Sequence, residues 1–457
     1  MKPHPFRRTA APVVASLSAL ALVACTGGSE DGSDSGNGGS ETEAITAEQF
    51  EEAMSTPTEL TFWSWVPDIQ NQVDMFEEAY PEIDVDYVNV GQGAEHYQQM
   101  RTAIQAGSGA PDVAQVEYQH LASFRLGGDL LDLTPYLQED LSAAYPDWVW
   151  SQVSADSGLW GIPQDTGPLG SLYRTDLFAD AGIEVPTTWD EFAQAAADYR
   201  EAMPDSYLTN MPGNDPGQFV GLLWQAGARP FAYDGAETVT IDLDSPEVLQ
   251  VVEYWQGLIA DDLVSVDPDF NDQWYQALAN GKYASWQVAA WGPVFLQGTA
   301  GNTSGLWAAS TLPQWEEGQN ISGNWGGSTD AVLSSTDNPI AATELARWIN
   351  VEEEPATAFA EEQFLFPPSL SILESEEFLA EESEFYGGQQ VNATFAEISE
   401  TVPTDDFGWL PFMDFAYSAY NETLGSAIAD RGDLVAGLQA WEVELVEYAE
   451  SQGFTVE

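Results

Sequence analysis

Between residues 60 and 116 the sequence repeatedly switches its hydrophobic period, and this alternation restricts the fold more than any other feature. Leu60 to Trp65 reads as a short strand. Ile69, Val73, Phe76 and Tyr80 then recur at helical spacing, and Pro81 ends that helix. Ile83 to Tyr87 alternates as a second strand. Tyr97, Met100 and Ile104 mark a second helix that stops at Gly107, and Val113 to Val116 is an apolar third strand. The order β-α-β-α-β requires a parallel sheet with right-handed crossovers, so the fold class is α/β. In open sheets of this kind ligands sit beyond the carboxyl ends of the strands. That rule selects Trp63, Trp65 and Asp68 after the first strand, Gly91 to Gly93 after the second, and Glu117 with Tyr118 after the third.

The start of the chain is of a different kind. Lys2, Arg7 and Arg8 precede a mostly small and apolar run from Ala10 to Ala24, with no acidic residue before Glu30. This is the layout of a secretory signal, and its apolar part is too short to span a bilayer comfortably. It ends in Leu22-Val23-Ala24-Cys25, which holds the only cysteine and resembles the lipobox of bacterial lipoproteins. That resemblance implies a lipid on Cys25 and a place on the outer face of the cytoplasmic membrane. The Gly, Ser, Asp and Glu residues that follow cannot bury a core and behave as a self-repelling string. Residues 1–25 are therefore expected to be the signal and 26–58 a flexible tether.

Charge excludes one large class of partner. With 75 Asp plus Glu against 11 Lys plus Arg, the formal net charge is -64. A nucleic-acid ligand needs the opposite sign. So acidic a surface repels itself, but at about 1 M salt the Debye length falls to roughly 3 Å. A salt-rich, halophilic setting is the expectation. Two histidines beyond the signal, His96 and His120, and no free cysteine argue against a transition-metal site, and no cofactor is expected. Asp267-Pro268-Asp269-Phe270-Asn271 begins like a calcium loop but has Asp272 where that loop needs Gly and Leu278 where it needs Glu.

Farther along, Trp160 to Arg174 reads WGIPQDTGPLGSLYR, a Gly- and Pro-rich stretch suited to a crossing between lobes. Thr188-Trp189-Asp190-Glu191 has the pattern of a helix capping box. Four segments then carry a family resemblance: LTFWSWVPDIQNQVDMFEEAYPEIDV from Leu60, APDVAQVEY from Ala110, GIPQDTGPLGSLYRTDLFADAGIEVPTTWDEF from Gly161, and ALANGKYASWQVAAWGP from Ala277. In this order and spacing the chain resembles the sugar-type extracellular solute-binding proteins of ABC importers, the family that includes maltose- and oligosaccharide-binding lipoproteins.

The resemblance implies two α/β lobes, each a largely parallel sheet with flanking helices, around a ligand cleft. It implies hinge crossings near Asp165 to Gly170, Ala308 to Pro313 and Glu353 to Phe359. The first lobe is then 59–167 with 309–355, and the second 168–308 with 356–457. It implies a monomer that takes a carbohydrate and presents it to the permease subunits of a transporter, without catalysis. Matching positions single out Trp63, Trp65, Asp68, Glu117 and Tyr118 in the first lobe and Asp165 in a crossing. Trp291 lies in the segment that commonly reads Gly-Pro-Trp, although Val294 follows Pro293 here. Trp409 and Phe412 precede the helix that brings an aromatic into the cleft in relatives.

Chemistry reaches the same places. A sugar ring has apolar faces and a polar edge, so its site pairs flat aromatics with carboxylates or amides. Trp63 and Trp65 beside Asp68, Glu117-Tyr118 and Asn324-Trp325-Gly326 fit that description, and Trp224 in a hydrophobic helix start is a further candidate. Against each stands core packing, the fate of most of the 17 tryptophans. Loops chosen this way contain no Lys or Arg, Arg174 being the nearest, which disfavours an anionic ligand. Two other classes remain open at this point. A secreted glycoside hydrolase also pairs carboxylates with aromatics, and a surface glycan-binding adhesin would bind without closure.

Overall fold

The computed structural model describes residues 44–155, 157–361, 363, 365–404 and 407–457. Cys25, the signal and the tether as far as Glu43 lie outside the described residues. The rest of the expected tether is not a free string. Ala47–Met54 is a helix closed by a capping box between Thr46 and Gln49, with Met54 buried and Phe50 packed on the core one turn away. Apolar residues at that i, i+4 spacing give a short helix something to bury.

Thr58–Trp63 (β1), Ile83–Val88 (β2) and Val113–Glu117 (β3) pair in parallel in the order β2-β1-β3, with Thr58 opposite Ile83 and Trp63 opposite Val88. Between them, Gln70–Ala79 buries Val73 and Phe76. Ala94–Ala106 (α1) buries Tyr97 and Met100 and ends at Gly107, whose φ of 65° glycine adopts without a Cβ penalty. The carboxyl ends of all three strands thus share one edge.

Beyond these, the chain forms Ile162–Pro163 (β4), Leu169–Arg174 (β5), Ser285–Ala289 (β6), Trp307–Thr311 (β7) and Ser328–Val332 (β8). β8 joins the first sheet antiparallel to β3, and β4 follows it at the edge. The remaining three form a second sheet in the order β6-β5-β7. Here the pairing differs from the expected parallel arrangement, because β5 is antiparallel to both neighbours. The reason is where the chain enters. β5 starts at the passage from the first sheet and runs away from it, whereas β6 and β7 run back, ending at Ala289 opposite Leu169 and Thr311 opposite Gly170.

Passages between the sheets lie side by side. The first is residues 164–168. The second runs from Thr311 to Ser328, later than Ala308 to Pro313, because β7 extends to Thr311. Gly167 N–H donates to Asn324 Oδ1 at 2.9 Å, Trp325 N–H to the Gly167 carbonyl at 2.8 Å, and Leu169 N–H to the Gly323 carbonyl at 2.9 Å. A Cβ on Gly167 would stand 2.0 Å from the Trp325 carbonyl oxygen, so glycine is what permits the approach. A third passage comes after Glu361, later than the expected Glu353 to Phe359. Glu353–Glu361 packs on the first-sheet helices, and the Phe366 carbonyl accepts from Thr166 N–H at 3.1 Å.

Candidate functional site

Beyond the carboxyl end of β3, beside the second passage, there is a cavity of about 770 Å³. One wall comes from α1 and the end of β3, and includes Tyr97, Gln98, Arg101, Glu117 and His120. Opposite stand Asp215 and Gly217, at the start of the helix Pro216–Gln225 (α2), and Asp414, Tyr417, Ser418 and Asn421 of the helix Met413–Glu422 (α3). Asn324 and Trp325 from the second passage close the base, with Trp409 at the side. Another hollow, of about 660 Å³ beside Trp150, is lined by residues between Thr134 and Leu159 alone, so a molecule in it would not touch the second sheet.

The first wall is knitted together by polar contacts. Tyr97 Oη donates to Glu117 Oε2 at 3.0 Å and accepts from Glu117 N–H at 2.9 Å, while its ring lies 4.1 Å from that of His120. Asp414 reaches across from α3 to Arg101, Nη2 to Oδ2 at 2.7 Å, and to His120, Nδ1 to Oδ1 at 3.3 Å. Burial holds the His120 imidazole below the ordinary histidine range, against the pull of Asp414 and Glu117. His96 is lowered to about 4 by burial. At the base Trp291 Nε1 donates to the Trp325 carbonyl at 3.0 Å, and the two rings meet edge to face at 4.7 Å. Phe270 stands 6.0 Å from each.

Of the sequence-selected residues, Gly93, Glu117, Asn324, Trp325, Gly326 and Trp409 line the cavity, and Trp291 backs Trp325. Trp63 and Trp65 lie outside it, packed on the His96 ring at 6.3 and 4.7 Å, which fixes α1 from behind. Asp68 is exposed at the start of Gln70–Ala79, with φ 57°. Tyr118 is core: its hydroxyl donates to the Asp165 carbonyl at 2.9 Å, and a Cβ on Gly327 would fall 2.4 Å from its ring. Trp224 is core too, stacked on Phe407 at 4.1 Å. Phe412 packs on Tyr448 and Phe454 at 5.1 and 5.8 Å. Asp165 lies in the first passage, its Oδ1 accepting from Ser328 N–H at 2.7 Å across the two passages. Burial raises it to about 6, and raises Asp330 of β8, held by Gln164 and Asn350, to about 7.

Sequence reasoning passed over Arg101, His120, Asp215, Asp414 and Tyr417. Helical spacing could have found two of the groups. Tyr97, Arg101 and Gln105 are four apart on α1, and Asp414, Tyr417, Ser418 and Asn421 recur at one face of α3. Arg101 is a cation in the lining where none was expected, but Asp414 neutralises it. The lining as a whole offers hydroxyl partners beside an aromatic base, which suits an uncharged polyhydroxy ligand.

The family model described as bacterial extracellular solute-binding protein matches residues 40–354. An arabinooligosaccharide-binding protein of Halalkalibacterium halodurans is 26% identical over 392 residues, covering 80% of this chain and 85% of that protein. Among solved structures, the ABC transporter associated binding protein of B. animalis subsp. lactis, in complex with beta-1,6-galactobiose, superposes with a TM-score of 0.77 at 30% identity. That match covers 87% of this chain and 99% of the other. The galacto-N-biose-/lacto-N-biose I-binding protein of Bifidobacterium longum shares the fold, with a TM-score of 0.76 at 23% identity over 87% of this chain and 98% of its own.

Proposed function

The chain belongs to the bacterial extracellular solute-binding protein family, and we propose that it is the carbohydrate receptor of an ABC importer, taking a di- or oligosaccharide into the cavity between the two sheets. The observation that carries this reading is that the end of β3 with α1, the helices α2 and α3 beyond the first passage, and the second passage all contribute to one cavity lined by aromatics, carboxylates and amides. A ligand touching both walls favours the conformation that brings them together, because its contacts exist only there. The two sheets are the cores of the two lobes, and the three passages are the hinge. Trp325 with Trp409 supplies apolar surface for a ring face. Glu117, Asp215, Asp414 and Asn324 meet hydroxyls, and Trp291 holds Trp325 in place.

A relative named for arabinooligosaccharide and a solved relative in complex with beta-1,6-galactobiose support an oligosaccharide ligand. Lipidation of Cys25 anchors a monomeric receptor at the outer face of the cytoplasmic membrane, from which it delivers its ligand to the permease without catalysis. X-ray scattering tests the closing step: saturating oligosaccharide reduces the radius of gyration, and an unchanged value with sugar bound contradicts closure. Incubation with oligosaccharides releases no reducing ends, and their release would restore the hydrolase reading.

A further inference from the structure

Asp267-Pro268-Asp269-Phe270-Asn271, the stretch that starts like a calcium loop, spends its carboxylates on the protein itself. Asp267 pairs with Lys282 and Tyr283, and Asn271 caps the helix Asp272–Ala279. Phe270 is held at φ 52°, a conformation that costs a non-glycine residue energy, and is 41% exposed as a residue, with its ring beside Trp291 and Trp325. Beneath it Asp269 is 5% exposed and accepts from Asn214 Nδ2 at 2.9 Å. Its other oxygen, Oδ2, is buried with no N–H or O–H donor among the described residues. Asn214 also accepts from Asp269 N–H at 3.2 Å, and this double contact sets Asp269 beside the next residue, Asp215, whose buried carboxyl interacts with its own, lines the cavity and caps α2 by accepting from Gln218 N–H at 2.9 Å.

Two buried carboxylates in contact repel, and a single proton between them both removes the repulsion and satisfies the orphaned oxygen. We propose that Asp215 and Asp269 share one proton, and that this pair presents Asp215 to a ligand hydroxyl, so that affinity depends on the proton being there. The inference rests on the carbohydrate-receptor reading. Burial and mutual repulsion raise the Asp215 carboxyl well above the ordinary carboxylate range, and burial raises Asp269. The proton is therefore kept near neutrality and lost as the pH rises further. With it, Asp215 can accept from a hydroxyl without a second negative charge behind it. Without it, the buried dianion must relax away from the geometry that a neutral sugar fits.

Other ionisable groups around the pair do not produce this signature. Tyr417 and Tyr420 of α3 feel the Asp215 charge and Tyr275 feels that of Asp269, and burial raises all three phenols, which stay neutral. Across the cavity stand Arg101, Glu117 and His120, and on the Asp215 side Asp414 of α3. His120 is lowered by burial, so it titrates on the acid side of its ordinary range. The hinge carboxyls Asp165 and Asp330, raised to about 6 and about 7, titrate in every variant that retains them.

The test is calorimetric titration of wild type, Asp269→Asn and Asp215→Asn with one sugar that binds the wild type. For the wild type, affinity falls roughly tenfold or more from about pH 6.5 to about pH 9. In Asp269→Asn an amide donates permanently to Asp215, and the fall across the same range shrinks to less than about twofold. Asp215→Asn keeps a good helix cap but weakens binding throughout. Equal slopes in wild type and Asp269→Asn overturn the inference, as does a wild-type affinity flat with pH. If a variant fails to fold, the wild type still decides, because binding near the alkaline end must take up protons when measured in buffers of unlike ionisation heat. No uptake overturns the shared proton. Absence of binding by any sugar at any pH is a distinct outcome that overturns the receptor reading and this inference with it.

Discussion

Trp224 and Trp325 are both buried tryptophans of one hydrophobic neighbourhood, and their surroundings give them opposite duties. Trp224 is 1% exposed, stacked on Phe407 with 5° between the planes and edge-on to Trp148 at 6.1 Å. Trp224→Ala is expected to cost about 3–5 kcal/mol of stability, read from denaturant unfolding, with sugar affinity nearly retained. Trp325, at 8% exposure, keeps an edge on the cavity. Trp325→Ala is expected to cost about 2 kcal/mol of binding, roughly 30-fold in affinity, measured by titration calorimetry. In sequence the two differ by their neighbours, a hydrophobic helix start against a glycine-flanked loop, and those flanks carry real information about accessibility. It could not see that Tyr118, next to Glu117, turns inward to bond the Asp165 carbonyl, because that contact depends on a passage 47 residues away. The same limit hid Asp215, whose partner Asp269 is brought to it only by folding.

At the scale of elements, the joint between the sheets carries the account. Asp165 and Asp330 sit in and beside the passages, raised by burial to about 6 and about 7. For a carboxyl raised above its unfolded value, the stabilising contribution is complete below the unfolded pKa, near pH 4, and is lost as the pH climbs through the folded value. Stability is therefore drained by these two groups between about pH 4 and about pH 7. Asp330→Asn keeps the contacts from Gln164 and Asn350 on its remaining oxygen and has no charge to bury. Its melting temperature should gain on the wild type as the pH rises from about 4 to about 8, by an amount equivalent to a few kcal/mol. Melting curves that shift in parallel would refute the assignment. Elements themselves were legible, since β1, β2, β3 and the helices between them follow the hydrophobic period of the sequence. The antiparallel second sheet was not, because periodicity identifies strands and says little about which neighbour each one meets. The helix Ala47–Met54 was concealed by the acidic composition around it, which outweighed Phe50 and Met54 in a reading by composition.

For the whole molecule, the net charge of -64 is a physical load that the fold carries at all times. Repulsion among exposed carboxylates is screened as the Debye length shrinks toward roughly 3 Å at about 1 M salt. The thermal unfolding midpoint is expected to rise with NaCl up to that range, and a midpoint indifferent to salt would contradict a salt-adapted surface. Most directly at stake is whether the cavity between the sheets takes a sugar. The decisive measurement is a tryptophan fluorescence titration of the purified chain, in molar salt, against mono-, di- and oligosaccharides, with Trp325 and Trp409 as reporters in the lining. A di- or oligosaccharide is expected to give a saturable change at micromolar concentration, about -8 kcal/mol. Absence of a response to every sugar in the panel would contradict it.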